Sequence, residues 1–322
     1  MMIALQQHDV TANGIRIHLA EQGTGPLVLL CHGFPEGWYS WRDQLPALAA
    51  AGYHAVAPDM RGYGRTEKPP EISSYSILDI VGDVVGLVAT LGEKQAIIVG
   101  HDWGANIAWH AALFRPDVFP AVAALSVPFR QRGPAPPLYM LRKAGQLNHY
   151  WFQFQEPGVA EAQFERDPRA SLRRMLYSIS GDAPRETREL TLQPGKGWLA
   201  NTLDPERLPS WLTEADLDHM AAEFSHSGLR GGLNWYRNID RNWELTAPWA
   251  GASIHQPAMF LAGSLDPIIT SGSGAAAVQA LPHTVPGLRR TLTVDGAGHF
   301  IQQERPQIVN EAILEFLRAL SA

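Results

Sequence analysis

The apolar and polar positions of the chain fall into two textures. Over residues 1–130, short apolar runs alternate with helical patterns. "IRIHLAEQ" (15–22), "PLVLLC" (26–31) and "YHAVAPD" (53–59) read as strands, and "SWRDQLPALAAAG" (40–52) reads as a helix ending at Gly52. Residues 76–91 carry the clearest helix: Ile77, Ile80, Val81, Val84 and Val88 fall at i, i+3, i+4, i+7 and i+11, which makes one apolar stripe. Ser76 is placed to cap its first turn, with Asp79 three residues on, and Gly92 to end it. "QAIIVG" (95–100), a helix from about Trp103, and "AVAALSVP" (121–128) continue the alternation. Strands that are apolar almost throughout, separated by helices, predict a parallel sheet covered on both faces.

The alternation stops near Val127. "PFRQRGPAPP" (128–137) is rich in proline and basic residues and reads as a linker. From about Leu138 to Trp243 the sequence is aromatic and helical, without a strand-like run. The strand pattern resumes with "PAMFLAGSLD" (257–266) and "RRTLTVDG" (289–296), followed by a terminal helix, "PQIVNEAILEFLRALSA" (306–322). This predicts an α/β core in two parts, 1–130 and 246–322, interrupted by a helical insertion over 131–245. A chain of 322 residues is long for one core and suits that division.

Composition narrows the function classes. A formal net charge of −6 gives no basic footprint for nucleic acid. No apolar run approaches the ~20 residues of a membrane helix. The amino-terminal "MMIALQQHDVTANG" shows no secretory pattern, so a cytoplasmic enzyme is the default expectation. The single cysteine, Cys31, closes an apolar run and reads as a small buried residue. The histidines are scattered, with no His-Glu-x-x-His, and "GYGRT" (62–66) lacks the third glycine of a dinucleotide fingerprint and reads as a loop. No metal and no cofactor are expected.

The stretch "IIVGHDWGANIAWH" (97–110) carries the chemistry. The frame Gly-x-nucleophile-x-Gly between strand and helix usually holds a serine, and here it holds Asp102. Gly100 and Gly104 would let neighbouring backbone approach, and the helix beginning at Trp103 would present free N–H groups to an ionised carboxylate. An aspartate after a strand is most often a plain N-cap. Three further features argue otherwise. "CHGFPEGW" puts His32-Gly33-Phe34-Pro35 after an apolar strand, which matches the oxyanion loop of α/β hydrolases. By that template the oxyanion donors are the backbone N–H groups of Phe34 and Trp103. His32 itself reads as structural, and Pro35 as holding a turn, with a cis bond as one form. Asp266 ends another apolar strand in "LAGSLDPII", and His299 follows a strand in "VDGAGHF". The order Asp102, Asp266, His299 is nucleophile, acid, histidine. Asp295 competes as the acid but reads as a strand-end turn residue. Ser126 occupies the corresponding place after "AVAALSVP".

An aspartate needs no base to act as a nucleophile near neutral pH. Its attack on an sp3 carbon gives an alkyl ester, which water activated by His299 can open. A serine would give an ether. The elbow therefore points to alkyl transfer at carbon. A halide leaving group needs only N–H donors, whereas an epoxide oxygen needs a proton donor such as tyrosine. The insertion places tyrosines within aromatic stretches, in "NHYWFQFQEPGVAE" (148–161) and "GGLNWYRNIDRNW" (231–243).

With these motifs together, in order across nearly the whole chain, the sequence resembles the soluble epoxide hydrolases of the α/β-hydrolase fold. The resemblance implies conversion of an epoxide and water to a vicinal diol, a detoxification-type reaction, with a helical cap over the core. It implies that Tyr150 and Tyr236 hold the epoxide oxygen and that Trp103, Phe34 and Pro35 line the substrate pocket. Tyr236 sits in the tighter motif, and Tyr139 and Tyr177 remain competitors of Tyr150. A haloalkane dehalogenase using the same aspartate is the alternative. A hydrolase-fold binding protein and an ester hydrolase are weaker readings, given the full Asp102–Asp266–His299 set and the absence of a nucleophilic serine. Substrate size, stereochemistry and oligomeric state, including a homodimer, are left open by the sequence.

Overall fold

A computed structural model of the protein describes residues 4–321. Among them, eight strands form one sheet: β1 (Gln6–Ala12), β2 (Ile15–Gln22), β3 (Leu27–Cys31), β4 (His54–Pro58), β5 (Ile97–His101), β6 (Ala121–Leu125), β7 (Ala258–Gly263) and β8 (Leu288–Val294). Their order is β1-β2-β4-β3-β5-β6-β7-β8. β1 and β2 run antiparallel, β2 and β4 likewise, and every pair from β4 to β8 is parallel.

The unbroken apolar strands follow from burial of both faces. In β3, Leu27, Leu29 and Cys31 join one core, with Val56, Ile98, Val122 and Phe260. Val28 and Leu30 join the other, with Ala55, Val99, Ala123 and Leu261. The first core is roofed by α2 (Ile77–Thr90) and α3 (Trp103–Phe114), the second by α1 (Gln44–Ala50) and the terminal α14 (Pro306–Ser321). Ser76 caps α2 by accepting the Asp79 N–H, as its position predicts. Burial pushes the Cys31 thiol up, so it stays protonated and inert.

The first helix and β1 are among the elements that differ from the sequence pattern. The helix expected over 40–52 is a short 3-10 turn, Trp38–Trp41, followed by α1 from Gln44. Pro46 lies in the first turn of α1, where its missing N–H costs nothing, and so marks the start of the helix. β1 lacks any strand pattern in the sequence because it is an edge strand whose side chains are mostly exposed. Its signal is the turn: Asn13 and Gly14 both have positive φ, +49° and +77°, which suits a tight hairpin.

Between β6 and β7 lie α4 (Pro137–Lys143), α5 (Tyr150–Gln155), α6 (Val159–Phe164), α7 (Pro168–Ser178), α8 (Glu214–Ser227), α9 (Arg230–Arg237) and α10 (Ile239–Leu245). After β7 come α11 (Pro267–Thr270) and α12 (Gly272–Thr284), and α13 (Ile301–Glu304) precedes α14. Among the described residues no helix is long and apolar enough to cross a membrane.

Candidate active site

Asp102 follows β5 with φ +53° and ψ −119°, a conformation that L residues adopt only at a cost. The surrounding glycines explain how the turn closes. A Cβ on Gly100 would lie 2.0 Å from the Gly104 carbonyl oxygen, and one on Gly104 would lie 2.0 Å from that of Cys31. A Cβ on Gly33 would sit 2.4 Å from the Cβ of Asp102 itself. The Asp102 carboxylate does not cap α3. Its Oδ1 accepts the Phe34 N–H at 2.9 Å, and its Oδ2 stands 3.5 Å from His299 Nε2. Trp103 is the first residue of α3, so its N–H has no intrahelical acceptor. Phe34–Pro35 is a cis peptide.

Asp266 lies just beyond β7 and is fully buried. Its Oδ1 accepts the Ile268 N–H at 2.8 Å, which fixes the carboxylate at the start of α11. His299 Nδ1 lies 3.1 and 3.2 Å from its two oxygens. Donation from Nδ1 leaves Nε2 aimed at Asp102. The competitor Asp295 is exposed and accepts the Ser264 hydroxyl instead. The His299 backbone is held on several sides. Its N–H donates to Ile179 O at 3.0 Å, and its carbonyl accepts from His101 Nε2 at 2.7 Å and the Ser126 hydroxyl at 2.8 Å. Glu304 accepts the N–H groups of Gly298 and Phe300 on either side of it. His32 is structural: it accepts the Met60 N–H and bonds the Gly33 carbonyl, which ties the oxyanion loop to the chain after β4.

Charge follows from this geometry. Burial pushes the Asp102 carboxyl up, but the bond and charge of His299, together with the Phe34 N–H, outweigh it and hold the group below the ordinary carboxylate range. Burial pushes His299 down. The Asp266 charge and the contacts to both aspartates overcome this and raise it well above an ordinary histidine. The two shifts run in opposite directions and favour an ionised Asp102 beside a protonated His299.

Opposite this set stand two tyrosines from the insertion. Tyr150 opens α5 and Tyr236 lies near the end of α9, with ring centroids 5.8 Å apart. Both line the same cavity as Asp102 and His299. It is also bounded by Phe34, Ile179, Leu190, Trp198, Pro267 and Ile268. Burial, then the nearby Asp102 charge, raises the Tyr150 phenol; burial, Tyr150 and Asp102 raise that of Tyr236. Both remain neutral O–H donors. The two helices are tied together by Gln155 Nε2 donating to Tyr236 O at 3.1 Å and Arg237 Nε donating to Phe154 O at 3.1 Å. Arg237 also pairs with Glu161 at 2.8 Å. The competing tyrosines lie elsewhere: Tyr139 is 52% exposed, and the Tyr177 hydroxyl donates to Asp182 O.

Comparison with known proteins places the whole chain. Residues 26–306 match the model of the α/β hydrolase fold family. Epoxide hydrolase A of Mycobacterium tuberculosis is 44% identical over 97% of each chain. The chain belongs to the epoxide hydrolase family. Among solved structures, an epoxide hydrolase from an endophytic Streptomyces superposes with a TM-score of 0.94 at 48% identity, covering 98% of this chain and 96% of that one. Epoxide hydrolase A from Mycobacterium thermoresistibile gives 0.91 at 46% identity, covering 98% of each chain.

Within this family member, two placements refine the sequence reading. Pro35 borders a neighbouring pocket, with Trp38, Tyr39 and His219, and only Phe34 of the pair faces the space beside Asp102. Trp103 is likewise not among the residues around that space; its ring stands edge-on to Tyr236, with centroids 5.1 Å apart. Sequence reasoning did not find Ile179, Leu190, Trp198, Pro267 or Ile268 as cavity walls. Pro267 and Ile268 were findable, since they directly follow Asp266. The other three come from insertion segments that carry no chemical motif.

Proposed function

We propose that this chain hydrolyses epoxides to vicinal diols through an ester on Asp102. The observation that carries the reading is the shared cavity: an ionised carboxylate on one wall faces two protonated phenols on the other. In the first step an Asp102 oxygen attacks an epoxide carbon and the C–O bond of the ring breaks. Tyr150 and Tyr236 hold the departing oxygen, and one of them gives it a proton. Esterification removes the Asp102 charge that helps to keep His299 protonated, so the imidazolium proton returns to the tyrosinate. His299 is then neutral and takes a proton from water as that water attacks the Asp102 carbonyl. The Phe34 and Trp103 N–H groups stabilise the tetrahedral oxyanion. Collapse expels the diol oxygen, which takes the proton from His299, and a carboxylate–imidazolium pair is restored once the new acid proton passes to the histidine. Asp266 orients the ring and supports its cation. The segment 131–245 serves as a cap that brings the two phenols and the apolar walls over the core.

A trapped intermediate tests the mechanism. His299→Gln should still be alkylated but should not turn over, and mass spectrometry should find substrate held on the peptide containing Asp102. No adduct, with turnover intact, contradicts it. Dehalogenation is the lesser reading, because a halide has no need of two buried phenols at the leaving-group position. Halide release from haloalkanes measured beside diol formation from epoxides separates the two.

Cell fractionation tests the expectation that the enzyme is cytoplasmic. Light scattering decides between a monomer and a homodimer.

A further inference from the structure

The "GYGRT" loop takes no part in the proposed chemistry, yet it forms a close backbone contact between the core and the insertion. Gly62 in this loop has φ +88° and touches the first turn of α9. A Cβ on Gly231 would lie 2.1 Å from the Gly62 carbonyl oxygen and 2.5 Å from its Cα. A Cβ on Gly62 would lie 2.8 Å from the Gly231 Cα. Beside them, a Cβ on Gly232 would lie 2.6 Å from the Tyr63 hydroxyl and 3.0 Å from the Phe34 ring. At Gly62 and Gly231 the helix therefore rests on the loop backbone to backbone, with the Tyr75 and Tyr63 rings beside the contact. Backbone contacts have no rotamer to relax.

The seat is anchored on both sides. Arg61, next to Gly62, is clamped by the buried Asp83 of α2, with Nε to Oδ2 at 2.7 Å and Nη2 to Oδ1 at 2.6 Å. The Arg61 carbonyl accepts the indole N–H of Trp235 at 3.0 Å. Asn238 Nδ2 donates to Ile72 O at 2.7 Å, which holds the far end of α9 to the same core segment. Tyr236 follows Gly232 by four residues, so it shares that face of the helix, and helical side chains lean back toward the preceding turn.

We infer that Gly62 and Gly231 are positioning residues that set the reach of the Tyr236 hydroxyl over Asp102. This rests on the reading of Tyr236 as a proton donor. The seat acts on ring opening and not on ester hydrolysis, because the hydrolytic water meets His299 and the oxyanion donors, which belong to the core.

The test is a double-mutant cycle on the rate of Asp102 alkylation, measured by rapid quench and mass spectrometry in single turnovers with styrene oxide as the probe. Gly231→Ala should slow alkylation about 10²-fold, the scale expected of ~1 Å misplacement, with hydrolysis of the preformed ester unchanged. In the Tyr236→Phe background the same change should cost no more than about threefold, since both remove one contact. Gly52→Ala serves as a control, because its φ of +88° strains any added side chain while nothing lies within 4 Å of the new Cβ. It should lower thermal stability without slowing alkylation. If Gly231→Ala does not fold, Trp235→Phe removes the bond to Arg61 O while keeping a ring, and should show the same selective loss. An equal loss in both backgrounds, or a loss confined to hydrolysis, overturns the seat. A Tyr236→Phe enzyme that alkylates at the full rate overturns the donor reading instead.

Discussion

The two walls of the cavity are built in different ways. The core wall, Asp102, Asp266 and His299, is held by hydrogen bonds from backbone and buried polar groups: Phe34 and Ile268 N–H on the carboxylates, His101 and Ser126 on the His299 carbonyl. The insertion wall is held mostly by rings. Tyr150 packs on Trp198 at 4.7 Å and on Phe154 at 5.3 Å, and Tyr236 packs on Phe154 at 4.9 Å and Phe34 at 5.4 Å. The difference follows from what each wall must do. Buried charges need donors and counter-charges to exist at all. A phenol that must stay protonated needs the opposite, a surrounding that disfavours its anion. One wall manages charge and the other excludes it.

Removing the nucleophile should break this division completely. Asp102→Ala leaves the phenols, the fold and the apolar pocket in place, and should lower turnover on the order of 10⁵-fold or more, as loss of an essential nucleophile does elsewhere. Diol formation from styrene oxide in steady state measures it. If a tenth of the activity survived, the core wall would not carry the covalent step.

Removing the donors attacks the other wall. Tyr150→Phe together with Tyr236→Phe should slow ring opening by about 10²–10⁴-fold, the usual worth of general acid assistance. Each single change should cost less, because the remaining phenol still reaches the oxygen. Burst kinetics should place the larger loss in alkylation, since only the return of the His299 proton links the phenols to ester hydrolysis. A larger loss in ester hydrolysis than in alkylation would mean that the two walls are not separable.

The charges around His299 set its titration. His299 is raised by Asp266 and Asp102 against the lowering effect of burial. Asp102→Asn removes one of the two carboxylates, so the His299 midpoint followed by NMR should fall relative to the wild type. The sign for stability follows. A raised histidine contributes stability that is complete below its unfolded pKa, near 6.5, and is lost as pH rises through its folded value. Wild type should therefore lose stability on going alkaline, and Asp102→Asn should lose less of it. An unchanged midpoint would remove the argument that esterification frees His299 to act as a base.

The smallest expected effect is at Ser126. Its hydroxyl is one of two donors to the His299 carbonyl. Ser126→Ala should cost about 1 kcal/mol of stability, a typical net hydrogen bond. Denaturant midpoints and steady-state kinetics check this. A turnover loss as large as that of Asp266→Asn would show that the backbone bonds, and not the acid, position the ring.

The same contrast explains what the sequence made legible. The charged residues sit at strand ends, where an apolar run stops and the next polar residue must emerge at the carboxyl edge of the sheet. That rule located Asp102 and Asp266 by pattern, and chain order added His299. It also left Ser126 as a non-carboxylate, and the structure shows it holding the histidine backbone. The insertion offers no such rule. Tyr236 was marked by its tight motif, but Ile179, Leu190 and Trp198 are ordinary apolar residues until the chain brings them together. β1 escaped notice because an exposed edge strand has no apolar face to reveal it. In α12, "GSGAAAVQALPHT", small residues and Pro282 give little periodic signal, although Ser271 caps it by accepting the Gly274 N–H. "GYGRT" reads as a loop, while its contact with Gly231 depends on two segments far apart in sequence.

The central claim is that Asp102 is the atom donor in the first step. A single turnover in ¹⁸O-labelled water, with enzyme in excess over styrene oxide, tests it directly. Attack by the carboxylate delivers an existing Asp102 oxygen to the epoxide carbon, and water then enters the ester carbonyl. The first diol should carry ordinary oxygen, and the label should appear in the peptide containing Asp102. Label in the first diol, with none in Asp102, would mean that water attacks the epoxide itself and would contradict the covalent account.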